Sequence, residues 1–496
     1  MTVESRRAMV AGAAAGAAAL ATVSYRSATK SATKDVDKAF RELDAKIKSG
    51  MKDHAIPGVA VAVLVDGREY IKGYGITNVD NPVPVDGDTV FRIGSTTKTF
   101  TGTALMRLVD QGKVDLDAAV SRYLPEFAVA DPAVGAVVTV RQLLNHTAGW
   151  LGDDIQDFGR GDDAQARFVE SMTRLPQLTP PGSVFAYNNA ALVVAGRIIE
   201  VVTGSTYEDA VKELLLDPLE LAHTRFFSDQ IIGYNIAASH RVTDGKAVVD
   251  PTFWGFPRSC NPTGSLISSA RDQLRYARFH LGDGTAPNGT RLLSDQALTA
   301  MRSNPGAGGT LHVDLTGMGL TWMLRPSAEG DVVVQHGGTW SGQHSGFFMV
   351  PSRNLAMTLL TNSDGGSHLN AELFADDWAL RRFAGISNTP ATAQSLTAAE
   401  LGPYVGRYQT EQIIPSGVVK TIAIDFRAGD GRLDGTIVDL DEDGSGTPLG
   451  LAFYQRDYGV DLAADGTPTG TRSNFVRGPG GDIVWFRSHG RLYRRL

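Results

Sequence analysis

The order of periodicities constrains this chain more than any single motif. GVAVAVLVDGREYIKGYG reads as a hairpin: a buried strand from Val59 to Val65, an Asp66-Gly67 turn and a returning strand. Strand patterns then give way to helical spacing for some 240 residues. They return from Gly317 as GLTWMLRP and VVVQHGGTWSGQHSGFFMVPSRNLAMTLLTNS, broken by Gly and by Pro351-Ser352-Arg353-Asn354. Helical spacing resumes in LNAELFADDWALRRF. Strands at both ends with helices between predict an α/β fold, one sheet covered by helices with a mostly helical insertion.

Composition changes after Phe383. Residues 386–402 are small, polar and proline-containing and read as a linker. Residues 403–496 are short alternating runs between Gly, Asp and Pro turns, which predicts a small all-β barrel or sandwich. A chain of 496 residues is expected to hold two or three domains. A net charge of -7 argues against nucleic acid as a partner, and the single Cys260 excludes an internal disulfide or a cysteine-rich zinc site.

The first 28 residues place Arg6-Arg7 ahead of a small apolar run from Met9 to Val23, with Ala19-Leu20-Ala21 as a cleavage site. The run is short for a membrane span and resembles a twin-arginine export signal, which implies a periplasmic or extracellular protein with no anchor once the signal is removed. A non-functional signal would leave the protein cytoplasmic.

The stretch FRIGSTTKTFTGTALMRLVDQG starts as a strand end, turns at Gly94 and becomes helical, with Gly112 where a helix-ending residue belongs. Ser95 lies at the helix N-terminus with Lys98 three residues on, so both side chains share one face. A hydroxyl beside an amine at the positive end of a helix is a candidate activated nucleophile; Ser95 as a plain helix cap is the competing reading. GSTTKT is no phosphate loop, because Thr97 replaces the required glycine. Asp439, Asp441, Asp443 and Gly444 begin like a calcium loop, but Gly450 stands where its bidentate glutamate belongs, so a hairpin turn is expected and no metal or cofactor is called for.

Three stretches stand in order: Ser95-Thr96-Thr97-Lys98, Tyr187-Asn188-Asn189 and His336-Gly337-Gly338-Thr339. With LLNHTAGW after the first and GMGLTW before the third, residues 35–385 resemble the serine β-lactamase and penicillin-binding protein superfamily. The resemblance is to its class C β-lactamase, D-alanyl-D-alanine carboxypeptidase and esterase branch. The C-terminal segment resembles the lipocalin-like domain appended to some members. The resemblance implies a Ser95 acyl-enzyme, Tyr187 as general base and later acid, Lys98 as its partner, and Asn189 orienting substrate. It also implies an oxyanion hole from the Ser95 and Thr339 N–H groups, with Gly338 leaving room for substrate against the strand. Small-molecule or short-peptide substrates are implied as well, with β-lactams as covalent ligands.

Free lysine and tyrosine titrate near 10.4 and 10, so bringing one to neutrality takes roughly 4 kcal/mol of burial and charge coupling. A tyrosinate beside an ammonium and a neutral amine beside a phenol both satisfy this, because the pair titrates as one system. His336 departs from the lysine of most β-lactamases of this fold and is mostly uncharged at neutral pH. A D-Ala-type carboxypeptidase, D-aminopeptidase or esterase with weak β-lactam turnover is therefore expected. Acyl transfer or peptide cyclisation at the same site, or slow-deacylating penicillin sensing, are the alternatives. His146 of the HTAG loop is expected to be structural, not part of a triad.

Overall fold

The computed structural model describes residues 36–252, 255–303, 305–441, 446–463 and 465–496. The expected export signal lies outside them. Residues 36–50 are helical and form one compact unit; residues 51–496 form a second. Among the described residues no single helix is long and apolar enough to cross a membrane.

The second unit is built on a seven-stranded antiparallel sheet. Its strands are β1 (Gly58–Val65), β2 (Arg68–Gly75), β3 (Gly317–Met318), β4 (Met323–Pro326), β5 (Val332–Trp340), β6 (Gln343–Val350) and β7 (Leu355–Thr361). They lie side by side as β2-β1-β7-β6-β5-β4-β3, so the first hairpin joins the last strands through β1 on β7, Val59 opposite Thr361 and Val65 opposite Leu355. Every residue of β1 is buried, which explains its unbroken apolar run. Asp66 and Gly67 both take positive φ in the turn that the sequence marks.

Three helices share the core beneath this sheet: α1 (Thr97–Asp110), α2 (Asn189–Thr203) and α3 (Ala270–Leu281). Ala60, Ala62, Phe347 and Leu360 of the sheet cluster with Phe100 and Leu105 of α1, Leu192 and Ile198 of α2 and Leu274 of α3. Phe100 stacks on Tyr276 at 3.9 Å between ring centroids. The expected helix at LNAELFADDWALRRF is broken: Asp377 takes φ +58° and the helix restarts at Trp378.

Eight strands between Gly406 and Arg495 close into a barrel. Its interior is filled by side chains: Tyr404, Tyr408, Phe426, Phe453, Phe475 and Phe486 form one buried cluster with Leu401. Residues 386–402, read as a linker, are pinned at several points. Gln394 N–H donates to Phe453 O at 2.7 Å, Leu396 N–H to Gly431 O, and Ala398–Leu401 is a helical turn closed by a Thr397–Glu400 capping box.

The barrel is docked on the sheet domain through many polar contacts. Ile413 N–H donates to Asp153 O at 2.7 Å and Thr310 Oγ1 to Asn474 Oδ1 at 3.0 Å. Arg472 pairs with Asp314, and Ala186 packs in a small apolar cluster with Trp485 and Leu492.

Candidate active site

The nucleophile turn is locked before α1 begins. Gly94 takes φ +50°, a conformation glycine supplies without strain, and the chain runs through a short 3-10 turn into α1. Ser345 Oγ on β6 donates to Ile93 O at 2.7 Å and meets Thr96 Oγ1 at 2.8 Å, tying the turn to the sheet. A Cβ on Gly94 would lie 2.5 Å from Thr339 N, and one on Gly338 2.0 Å from Ile93 O and 2.6 Å from Ser95 N. The space freed at Gly338 admits the nucleophile turn, and Gly338 also lines the cavity beside Ser95. The Ser95 turn and the Gly338–Thr339 stretch of β5 therefore lie backbone against backbone.

Ser95, Lys98 and Tyr187 come together. Lys98 is fully buried, with Nζ 3.1 Å from Ser95 Oγ and 2.8 Å from Thr263 O. Tyr187 lines the same cavity as Ser95, and Lys98 Nζ lies 5.0 Å from the centre of the Tyr187 ring. Burial, and after it the charge of Arg491, holds Lys98 well below the usual ammonium range. Burial pushes the Tyr187 phenol up to about 12, with nearby Ser95 pulling the other way. Of the two proton arrangements open on sequence grounds, burial favours the neutral amine beside the phenol.

The residue that caps α2 is Asn188, whose Oδ1 accepts from Ala191 N–H at 2.8 Å. That leaves Asn189 free of capping, and its Nδ2 donates to Asp153 Oδ1 at 3.0 Å. His146 is fully buried, stacks on Tyr187 at 4.7 Å and accepts from Asn188 N–H through Nδ1 at 2.9 Å. It holds the tyrosine loop in place and takes no triad geometry. His336 is buried beside it, with Nδ1 2.7 Å from Gly337 O; burial, with Lys98 adding, pushes it down to about 3. It is an uncharged imidazole throughout the neutral range.

The cleft also contains residues that the motifs do not announce. The barrel's last two strands, Ile483–Ser488 and Arg491–Arg495, are joined by a turn whose Gly490 O accepts from Tyr187 N–H at 2.8 Å. Arg491 places its guanidinium 4.7 Å from the centre of the Tyr187 ring and pairs with Asp153 at 2.8 and 3.1 Å. Asp153 therefore joins Asn189 to Arg491. A cavity of about 660 Å³ opens from Ser95 and Tyr187, with Leu311, Val313, Met323, Phe347 and Phe374 as an apolar wall and Thr469, Thr471 and His489 of the barrel across from it. Among the described residues no group of three His, Cys, Asp or Glu side chains could hold a metal ion.

A family model described as Beta-lactamase matches residues 43–381. The chain is also 36% identical over 364 residues to penicillin-binding protein 4 of Amycolatopsis lactamdurans, a match spanning 72% of this chain and 94% of that one. The chain belongs to the β-lactamase family. It is a member of the β-lactamase/transpeptidase-like serine hydrolase superfamily. Among solved structures, SurE superposes with a TM-score of 0.70 at 26% identity, covering 93% of this chain and all of SurE. A span that long takes in the barrel, and SurE solved with D-Leu matches equally. A class C β-lactamase shares the fold of the family domain, with a TM-score of 0.55 at 23% identity over 67% of this chain and 94% of that one.

Proposed function

We propose that this β-lactamase-fold serine hydrolase cleaves amide or ester bonds next to D-configured residues through a Ser95 acyl-enzyme, as a carboxypeptidase, D-amino-acid peptidase or esterase, and turns over β-lactams weakly. One observation carries the reading: His336, where β-lactamases of this fold resemble one another in carrying lysine, is buried and uncharged. The third motif thus offers substrate no fixed cation. The likeness to a penicillin-binding protein and to a structure solved with D-Leu supports a D-configured substrate. The apolar wall of the cleft suits an acyl group or side chain without charge.

In this reading the neutral Lys98 amine takes the Ser95 proton as Oγ attacks the carbonyl. The negative charge that develops on the carbonyl oxygen meets the Ser95 and Thr339 N–H groups. The Tyr187 phenol then delivers a proton to the leaving amine or alcohol, and Lys98 hands it a replacement. Water, or an amine that reaches the acyl-enzyme first, completes the cycle by the reverse transfers. The twin-arginine-like N-terminus extends the proposal to an exported enzyme, to be checked by cell fractionation.

The test is a panel of D-Ala-D-Ala peptides, D-amino-acid amides, short-chain nitrophenyl esters and a cephalosporin, run with and without an amine acceptor on wild type and Ser95→Ala. Activity on at least one ester or D-peptide is expected, falling by roughly 10³-fold or more in the variant. Equal rates in the two proteins would defeat the assignment.

A further inference from the structure

The barrel closes an eight-stranded ring around an interior already filled with aromatic rings. Beside its docking contacts, what it presents to the active site is its last turn. Gly490 and Arg491 reach Tyr187 at three points: the Gly490 O bond to Tyr187 N–H, the close approach of Gly490 to Tyr187 Cβ, and the Arg491 guanidinium against the ring. Ordinary docking would be served by any side chain of similar size. A half-buried guanidinium with a bidentate carboxylate, set against the tyrosine of the active site, is a more demanding arrangement.

We propose that Arg491 is a positioning residue for the Lys98–Tyr187 pair, supplied by the barrel, and that Asp153 sets how strongly its charge acts there. This rests on the acyl-enzyme reading and goes beyond it by making the barrel part of the proton-transfer machinery. The guanidinium holds the ring through a cation–π contact, and Asp153 fixes the guanidinium while also receiving Asn189 Nδ2. One carboxylate thereby ties the barrel turn, the substrate-facing asparagine and the tyrosine into a single unit.

The charges facing the pair are those of Arg491 and Asp153, with buried His146, His336 and Cys260 beside them. The two histidines are held uncharged by burial, and burial likewise keeps the Cys260 thiol protonated. That leaves Arg491 and Asp153 as opposed fixed charges. A cation beside Lys98 disfavours its ammonium form, whereas a carboxylate favours it.

The two residues therefore make predictions of opposite sign. Acylation needs the unprotonated amine, so its rate rises along an acid limb. Arg491→Gln moves that limb to higher pH and Asp153→Asn moves it to lower pH, each by about 0.5–1 pH unit. Arg491→Lys keeps the charge and loses the stacked fork, so the limb stays in place while the acylation rate drops severalfold. The readout is the pH dependence of Ser95 labelling by a fluorophosphonate probe on the full chain, with thermal melts of each variant alongside. Limbs that shift in the same direction, or do not shift, would overturn the proposal. If Arg491→Gln fails to fold, Asp153→Asn and Arg491→Lys decide: a limb unmoved by the first, or displaced by the second, is equally fatal. Absence of Ser95-dependent labelling in wild type would instead strike the acyl-enzyme reading itself.

Discussion

Two turns meet at Tyr187, and each brings a cation. The Gly94–Lys98 turn sets an amine 5.0 Å from the ring centre, and the Ser488–Arg491 turn sets a guanidinium 4.7 Å from it. Their surroundings differ. Among the described residues Lys98 has no carboxylate within ion-pair distance; it has a hydroxyl and a backbone carbonyl. Arg491 has Asp153 on two of its nitrogens. Burial with no carboxylate at ion-pair distance drives the amine toward its neutral form, whereas the half-exposed guanidinium, paired with Asp153, is held more firmly protonated. Which proton state a cation keeps thus depends on how deeply it is buried and on what is placed opposite it.

The largest expected effect separates those roles directly. In the proposed mechanism Lys98→Met removes the group that takes the Ser95 proton, and it should lower kcat/KM by roughly 10³-fold or more. Arg491→Met leaves the amine in place and should cost roughly ten- to a hundredfold. Comparable losses in steady-state assays of the two would erase the distinction.

The turns also differ in what surrounds their glycines. Gly94 and Gly490 both take positive φ, at +50° and +76°. A Cβ on Gly94 would meet backbone, Thr339 N at 2.5 Å and Gly338 C at 2.9 Å, which has no room to yield. On Gly490 it would meet Leu311 Cδ1 at 2.9 Å and Tyr187 Cβ at 3.1 Å, and the leucine tip can swing away. Gly94→Ala should therefore cost about 3 kcal/mol and most of the activity, against about 1–2 kcal/mol for Gly490→Ala. Thermal melts showing the reverse order would mean that the barrel turn is the stiffer of the two.

The first turn was legible because its chemistry is local. Serine and lysine three apart, ahead of an apolar helical face and ended by Gly112, carry position and function in one stretch. The sheet followed from strand runs long enough to need partners, and Tyr187 from the resemblance carried by the three ordered motifs. Arg491 and Asp153 lie 338 residues apart, and HGRLYRRL reads as one more stretch of barrel strand. No local pattern records that contact. Thr263 was invisible for a different reason, since it acts through a backbone carbonyl that every residue has. The pinned linker was a missed signal: Thr397 and Glu400 spell a capping box inside a stretch judged by composition alone.

The smallest expected effect asks whether the two regions also melt together. Asp461 is buried in the barrel wall, accepts from Ser473 Oγ at 2.9 Å, and burial pushes its carboxyl up to about 7. Free aspartic acid titrates near 3.9, so between about pH 4 and 7 the folded barrel binds a proton that the unfolded chain has lost. Stability contributed by this group is complete below about pH 4 and drains away as pH rises to about 7, by up to about 4 kcal/mol. Wild type should melt a few degrees lower at pH 8 than at pH 5, and Asp461→Asn should flatten that slope. If the barrel turn holds Tyr187 in place, esterase activity measured just below the melting temperature should follow the same slope and flatten in the same variant. Activity that ignores the state of Asp461 while the barrel loosens would show that the sheet domain keeps its active site without help from Arg491.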